Sequence, residues 1–139
     1  PCGLPRERFL RGSRVPQPSR TSTPSSASAW RSHLGLWAVE ERVTGEFLGR
    51  IGCLNPEGFP AFEIAYTLAP WAWGKGYARE GAAAALRYAR ETLGRTEITS
   101  IIRPANAASI RVASSLGAVA GESVEFFGAP SVIYRYPRL

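Results

Sequence analysis

Hydrophobic and polar residues alternate along three segments that follow residue 33. Residues 36–40, 46–54 and 61–68 show the period of two that is typical of strands. The first two segments flank a turn around Gly45, which predicts an antiparallel hairpin. One face of the third segment is apolar and consists of Phe62, Ile64, Tyr66 and Leu68. Glu63 lies on the opposite face, because successive side chains of a strand point to opposite sides.

The period changes to that of a helix between residues 77 and 93. Alanine and leucine recur every three or four residues on one side, and Gly94 follows as a C-terminal stop. A second helix is predicted from Asn106, a favoured N-cap residue, through Leu116, with Gly117 at its end. Three more strands are predicted at residues 98–103, 119–126 and 131–136.

The predicted order is strand–strand–strand–helix–strand–helix–strand–strand. A helix that connects two strands is the usual crossover between parallel neighbours, whereas short turns connect antiparallel ones. We therefore expect an α/β fold in which a mixed antiparallel and parallel sheet is flanked by helices.

Positive charge is concentrated before this pattern begins. The chain of 139 residues has a net charge of +6, and residues 1–33, with six arginines and one glutamate, carry +5 of it. Residues 12–33 are rich in Ser, Thr and Pro and contain no acid, a composition that is typical of low-complexity segments. We interpret residues 1–33 as a basic tail and residues 34–139 as the folded domain. Three explanations of the tail remain open: a flexible extension, a fragment or mistranslated start, and a targeting or nucleic-acid-binding arm.

Composition excludes several classes of protein and site. The chain is 45% hydrophobic and 20% charged, which excludes a collagen-like or wholly disordered protein, and no apolar run approaches the roughly 18 residues that span a bilayer. His33 is the sole histidine, so His-based triads and multi-His metal sites are excluded, and we predict no metal. Cys2 and Cys53 have no CxxC spacing, and we expect Cys53 to be a buried, inert thiol in a reducing, cytoplasmic compartment.

Candidate chemistry is concentrated at residues 73–78, Trp-Gly-Lys-Gly-Tyr-Ala, between the third strand and the first helix. Two glycines let the backbone approach a ligand closely. The first turn of a helix presents unpaired N–H groups and the positive end of its dipole, so the segment predicts an anion site. It matches neither a Walker motif nor the full GxGxxG fingerprint, and a purely structural turn is the alternative.

The sequence EIAYTLAPWAWGKGYAREGAAAALRYA, followed further along by RPANAASIRVASSLGA, resembles the GNAT acetyltransferase superfamily. More narrowly, it is similar to the branch of bacterial ribosomal-protein N-terminal acetyltransferases. The acyl-CoA signature of the superfamily, Gln/Arg-x-x-Gly-x-Gly/Ala, falls on residues 73–78. Asn106 and Ser109, with the Leu116-Gly117 ending, match a second hallmark, and the resemblance covers about residues 34–139.

The resemblance implies that acetyl-CoA binds to this domain. Its pyrophosphate would lie on the backbone amides of residues 74–78, and its pantetheine arm would run along the third strand, where that strand splays from residues 98–103. Asn106 would contact this arm or hold the strands apart, and Lys75 would meet a phosphate or remain solvated. The implied cofactor-binding residues are Tyr66, Leu68, Trp73, Gly74, Lys75, Gly76, Tyr77, Ala78 and Asn106.

Acetyl transfer to an amine requires a base and a proton for the leaving thiolate. Glu63 matches the acid often found on this strand and is the candidate base, with a pKa of about 6–7 if partly desolvated. A solvated strand glutamate is the alternative. A strand amide within residues 65–68 would polarise the thioester carbonyl. Many members of the superfamily carry a tyrosine acid in the second helix, where this chain has Ala113, and Ser109 is nominated in its place.

The resemblance also implies one strand and two helices before Leu34. This chain has its Ser/Pro/Arg-rich segment there, of which only residues 28–33 suit the end of a helix. We therefore predict that the first strand and the first two helices, which shape the acceptor side, are lacking or degraded.

From these features we expect an N-acetyltransferase that acts by direct transfer in a ternary complex. A protein N-terminal amine is the first candidate acceptor and a small-molecule amine is the second. One alternative is a non-catalytic acyl-CoA-binding remnant of such an enzyme, and another is a nucleic-acid-binding protein that acts through the tail. For the domain itself we expect no nucleic-acid or membrane partner, and either a monomer or a homodimer.

Overall fold

The computed structural model describes residues 34–138, which form six strands and two α-helices. The strands are β1 (Gly35–Glu40), β2 (Phe47–Leu54), β3 (Glu63–Leu68), β4 (Thr99–Ile102), β5 (Val119–Phe126) and β6 (Ala129–Arg135). The helices are α1 (Tyr77–Glu91) and α2 (Ala107–Ser115), and a 3₁₀ turn spans Pro70–Ala72. The order of elements predicted from the hydrophobic pattern is confirmed.

The six strands form one mixed sheet in the order β1-β2-β3-β4-β6-β5. Four neighbouring pairs are antiparallel, and the pair of β3 with β4 is parallel. Helix α1 is the crossover between these two parallel strands, as its position in the sequence predicts. The fold class expected from the sequence is therefore confirmed.

Small side chains let α1 lie close to the sheet. The helix packs on β2 and β3, and its buried residues are Gly81, Ala82, Ala85, Leu86 and Ala89. The Cys53 Sγ atom on β2 lies 3.8 Å from the carbonyl oxygen of Ala85. Cys53 is fully buried, and burial raises the pKa of its thiol to about 12, so the inert thiol predicted from the sequence is confirmed.

Helix α1 ends slightly earlier than the sequence pattern predicts, at Glu91 instead of residue 93. The amides of Thr92 and Leu93 both donate to the carbonyl of Tyr88, four and five residues earlier, so the hydrogen-bond pattern departs from that of a regular α-helix after Glu91. Gly94 then takes a left-handed φ of 64° and ends the helix, as its position predicts.

The predictions made for residues 1–33, including the tail, Cys2, His33 and a helix end at 28–33, lie outside the described residues. The predicted boundary at residue 34 stays a prediction. Within residues 34–138, neither helix has the length and apolar character that a membrane crossing requires.

Candidate active site

Strands β3 and β4 diverge almost as soon as they have paired. Over residues 34–138 their register contains a single pair, Glu63 with Thr99. Beyond this pair, side-chain hydrogen bonds connect the two strands in place of backbone ones. The Ser100 hydroxyl donates to the carbonyl of Ile64 at 2.7 Å, and a Glu63 carboxylate oxygen accepts from the Ile101 amide at 3.3 Å. The splay expected between the two strands is present, and it leaves the backbone of β3 beyond Glu63 open toward β4.

Glu63 is buried at the closed end of this split, with 7% of its surface exposed. Burial raises its pKa from 4.5 to about 7, and the hydrogen bond from the Ile101 amide opposes this rise because it favours the charged form. The structure therefore excludes a freely solvated strand glutamate. A carboxyl group with a pKa near neutrality is suited to proton transfer at physiological pH.

The raised pKa makes stability depend on pH in a defined direction. Between the unfolded value of 4.5 and the folded value of about 7, the folded state binds more protons, so the contribution of Glu63 to the unfolding free energy falls as pH rises. Glutamine removes the ionisation and keeps an oxygen that accepts from the Ile101 amide. We expect the unfolding free energy of Glu63→Gln, measured relative to that of the wild type, to increase between pH 4 and pH 8. The increase should be on the order of 3 kcal/mol, which makes the variant the more stable protein at pH 8.

Urea denaturation of both proteins at pH 4 and pH 8 measures this difference. A stability difference that does not change between the two pH values would contradict the burial of an ionisable group at this position.

The glycine-containing segment connects the end of β3 to the start of α1. The Trp73 indole N–H donates to the carbonyl of Leu68 at 2.8 Å and anchors the segment to the strand. Gly74 and Gly76 have left-handed φ values of 72° and 84°, and a Cβ added to either would meet no atom within 4 Å. Two glycines are therefore needed for the backbone path, and the space beside them is open to a ligand.

Helix α1 presents its N-terminus at this open space. Gly76 is the N-cap, and the first intrahelical hydrogen bond runs from the Glu80 amide to the Gly76 carbonyl at 3.0 Å. The amides of residues 77–79 thus precede the first bond of the helix and have no partner within it. Together with the helix dipole they form an anion site.

A cleft of about 990 Å³ lies between the end of β3, the N-terminus of α1 and the first turns of α2. Three arginines line it, namely Arg79 from α1, Arg103 from the end of β4 and Arg111 from α2. None of the described residues that line the cleft is acidic. The cleft therefore suits a ligand with several negative charges.

The wall formed by α2 is fixed by hydrogen bonds to Ser109. The Ser109 amide donates to the Asn106 side-chain oxygen at 3.1 Å, which confirms Asn106 as the N-cap. The Tyr66 hydroxyl on β3 donates to the Ser109 carbonyl at 3.0 Å and so links the strand to the helix. Ala113, which stands where many members of the superfamily carry a tyrosine acid, is fully buried.

The cleft brings together most of the residues nominated from the sequence. Those that line it are Tyr66, Leu68, Trp73, Gly74, Gly76, Tyr77, Ala78, Asn106 and Ser109. Lys75 is exposed and does not line the cleft, and Glu63 lies outside its lining, at the closed end of the strand split. In the described part of the chain, no three His, Cys, Asp or Glu side chains cluster as metal ligands would.

Sequence reasoning missed the three arginines. Helical periodicity places Arg79 on the polar side of α1, opposite the alanines, and there the exposed Arg79 side chain also lines the cleft, with its Nε donating to the Ser115 hydroxyl at 3.2 Å. Arg103 follows directly on β4 and Arg111 lies in the first turns of α2. Arg103 and Arg111 lie within five residues of the predicted N-cap Asn106 in the sequence, and this spacing is the signal that could have identified them.

Comparison with known proteins agrees with this geometry. Residues 7–119 match the family model described as an acetyltransferase (GNAT) domain. The uncharacterized protein YkkB of Bacillus subtilis (strain 168) is 36% identical over 103 residues, which cover 73% of this chain. The chain spans 60% of the length of that relative.

Solved structures share the fold. An acetyltransferase from Agrobacterium tumefaciens str. C58 is 27% identical with a TM-score of 0.71, over 86% of this chain and 75% of that one. Two more distant structures match in fold alone. One is yncA from Salmonella typhimurium, solved with its cofactor acetyl-CoA (22% identity, TM-score 0.65, 83% and 70% coverage). The other is a ribosomal-protein-S5-alanine acetyltransferase from Vibrio fischeri (16% identity, TM-score 0.69, 95% and 79% coverage).

Proposed function

Because this chain belongs to the GNAT acetyltransferase family, we propose that it transfers an acetyl group from acetyl-CoA to a primary amine. One observation carries the proposal. The split between the parallel strands β3 and β4 holds a buried glutamate with a pKa near 7, and a cleft lined by no acidic residue lies beside it. An anionic acyl donor fits the cleft, and a base is available where the donor and an amine would meet.

The cleft offers a separate contact to each part of acetyl-CoA. The pyrophosphate would accept from the backbone amides of residues 74–78 at the N-terminus of α1. The pantetheine arm would pair with the open edge of β3 beside Tyr66 and Leu68, in the manner of an added strand. Arg103 and Arg111 would meet the remaining phosphate charge.

In this proposal Glu63 accepts the proton of the ammonium group, directly or through water, and so produces the nucleophilic amine. A backbone amide of β3 within residues 65–68 would polarise the thioester carbonyl. Both substrates are bound at once, and the acetyl group passes directly between them. A protein N-terminal amine is the first acceptor to test, and a small-molecule amine is the second.

Acetyl-CoA is expected to raise the melting temperature of the protein, since it binds the folded state alone. Gly76→Asp places a carboxylate at the N-terminus of α1, where the pyrophosphate would lie, and should suppress this rise. Thermal denaturation with and without millimolar acetyl-CoA measures both effects.

Gly94→Asp is the matched control for this substitution. Gly94 also has a left-handed φ, of 64°, and open space at its Cβ position, but it lies at the opposite end of α1. Both variants should lose stability without ligand, and Gly94→Asp alone should keep the rise with acetyl-CoA. No rise in the wild type would contradict the binding of acetyl-CoA.

A non-catalytic acyl-CoA-binding domain is the second candidate function. The burial of Ala113, in place of the helical tyrosine found in many relatives, favours it. Release of free CoA thiol in the presence of an amine separates the two functions, because a binding domain releases none.

A further inference from the structure

We propose that Ser100 is a positioning residue: its hydroxyl group keeps β3 and β4 from pairing beyond Glu63 and so holds open the strand edge that would bind the pantetheine arm. The inference rests on the proposed binding of acetyl-CoA and adds the residue that maintains its site. Ser100 lies on β4 directly after the last strand pair, and 2% of its surface is exposed.

One bond of the ladder is replaced at the point where the two strands part. After the pair of Glu63 with Thr99, a regular parallel ladder would continue from the Ile101 amide to the Ile64 carbonyl. Over residues 34–138 the register ends before that bond. The Ile101 amide donates instead to a Glu63 carboxylate oxygen at 3.3 Å, and the Ile64 carbonyl accepts from the Ser100 hydroxyl at 2.7 Å. Each strand thus satisfies, with a side chain, a backbone group of the other strand.

The Ser100 hydroxyl is itself held in place by Tyr136. Its one proton is donated to the Ile64 carbonyl, so in its contact of 2.9 Å with the Tyr136 hydroxyl it is the acceptor. Tyr136 follows β6, and its amide donates to the carbonyl of Ile98 just before β4. Ser100 and Tyr136 are both buried, so solvent does not compete for either hydroxyl.

Thr99 shows the same type of bond where the ladder is intact. Its hydroxyl donates to the Phe62 carbonyl at 2.8 Å, and that carbonyl also accepts from the Thr99 amide at 3.0 Å. A carbonyl oxygen has two lone pairs, so a backbone bond and a side-chain bond coexist there. At Ile64 the side-chain bond stands in place of the backbone bond, because the Ile101 amide is held by Glu63. The Ile64 carbonyl therefore depends on its hydroxyl partner.

The backbone groups that would bind pantetheine lie directly beyond this point. Backbone groups alternate in direction along a strand, so those of Tyr66 and Leu68 point toward β4 as those of Ile64 do. If the Ile101 amide bonded to the Ile64 carbonyl, the Tyr66 amide would come next to the Ile101 carbonyl, and β4 would occupy the edge. The bond from Ser100 prevents this first step.

Removing the hydroxyl is expected to close the split by at least one residue. In Ser100→Ala the buried Ile64 carbonyl loses its partner, and a buried carbonyl without a partner destabilises the folded state. The Ile101 amide, which is its partner in a regular ladder, relieves this cost by moving from Glu63 to Ile64. Strand β4 then competes with pantetheine for the edge of β3.

Hydrogen-bond scalar couplings between amide nitrogens and carbonyl carbons, measured by NMR in the ligand-free protein, identify each backbone pair directly. In the wild type the coupling of Thr99 to Phe62 should be present and that of Ile101 to Ile64 absent. In Ser100→Ala the coupling of Ile101 to Ile64 should appear. The coupling of Thr99 to Phe62 is the internal reference in both proteins.

A second measurement compares acetyl-CoA with adenosine 3′-phosphate 5′-diphosphate, which is CoA without its pantetheine arm. Ser100→Ala should weaken acetyl-CoA binding at least about tenfold, because the edge of β3 is no longer open. The nucleotide would bind at the N-terminus of α1 and the arginines of the cleft, so its dissociation constant should stay within about twofold. Isothermal titration calorimetry measures both constants, and a variant that merely loosened the fold would weaken both ligands.

Thr99→Val is the matched control. It also removes a buried β4 hydroxyl from a carbonyl of β3, but the Phe62 carbonyl keeps its bond to the amide of residue 99. The variant should lower the melting temperature, as Ser100→Ala does, because a buried hydrogen bond is lost. It should show no coupling of Ile101 to Ile64 and should bind acetyl-CoA within about twofold of the wild type.

The outcomes separate this inference from the proposed function. A coupling of Ile101 to Ile64 in the wild type overturns the role of Ser100, whether or not Ser100→Ala folds. Absence of that coupling in a folded Ser100→Ala does the same, as does an equal loss of affinity for acetyl-CoA and for the nucleotide or an equal effect of Thr99→Val. A wild type that does not bind acetyl-CoA overturns the proposed function, while the couplings still decide whether Ser100 holds the strands apart.

Discussion

Replacing Glu63 by glutamine is expected to reduce kcat/KM for acetyl transfer by roughly 10²–10⁴-fold. The substitution keeps the size of the side chain and an oxygen for the Ile101 amide, but it removes the proton acceptor at the closed end of the strand split. In the wild type, kcat/KM should rise as pH increases through about 7, because Glu63 loses its proton there. Release of CoA thiol with a set of peptide and small amines measures both effects.

Glu57→Gln is the control, since Glu57 is an exposed glutamate in the loop before β3. It should retain wild-type turnover. The expected gain in stability of Glu63→Gln above neutral pH ensures that lost activity does not reflect unfolding. Thiol release by Glu63→Gln at the wild-type rate would remove Glu63 as the base, and no release by the wild type with any amine would favour the non-catalytic candidate.

Gly52→Ala is expected to reduce stability strongly. A Cβ at Gly52 would lie 2.0 Å from the carbonyl oxygen of Gly35 and 2.9 Å from the Cα of Leu36, both on the neighbouring strand β1. Backbone atoms cannot rotate away as a side chain can, so β1 and β2 must separate. We expect a loss of about 3 kcal/mol of unfolding free energy, which lowers the melting temperature by roughly 12–24 °C for a domain of this size.

Gly45→Ala tests whether the loss comes from this collision. Gly45 is in the turn of the same hairpin, has a left-handed φ of 71° and has open space around its Cβ position. Its substitution should cost only about 1–2 kcal/mol through backbone strain. If Gly52→Ala melted no lower than Gly45→Ala in a calorimetric scan, the close approach of β1 to β2 at Gly52 would be wrong.

The sequence predicted the elements well because local signals mark their limits. Alternation identified the strands, and Gly94 ends α1 in the left-handed conformation that only glycine adopts readily. Asn106 was predicted as an N-cap and accepts from the Ser109 amide. The glycine segment was also found, because its positive φ values and the helix that follows are local properties of the chain.

The chemistry of the site was less predictable because it depends on contacts between distant residues. The burial of Glu63 arises where β3 meets β4, and alternation alone does not distinguish this face from a solvated one. Helical periodicity places Arg79 on the polar side of α1, where it is exposed, but periodicity does not show that the first turn of α1 borders the cleft and that Arg79 lines it. The bond of Tyr66 to the Ser109 carbonyl joins two elements that are far apart in sequence.

The divergence of β3 from β4 also divides the sheet into two halves that share few hydrogen bonds. Strands β1, β2 and β3 form one unit with α1, and β4, β6 and β5 form the other with α2. The units share one strand pair, a few side-chain bonds and the contact between the helices. Such a seam is where local opening is least costly and amide hydrogens exchange first. If acetyl-CoA binds along this split as proposed, it would bridge the two halves of the sheet, and its binding should slow amide exchange in both.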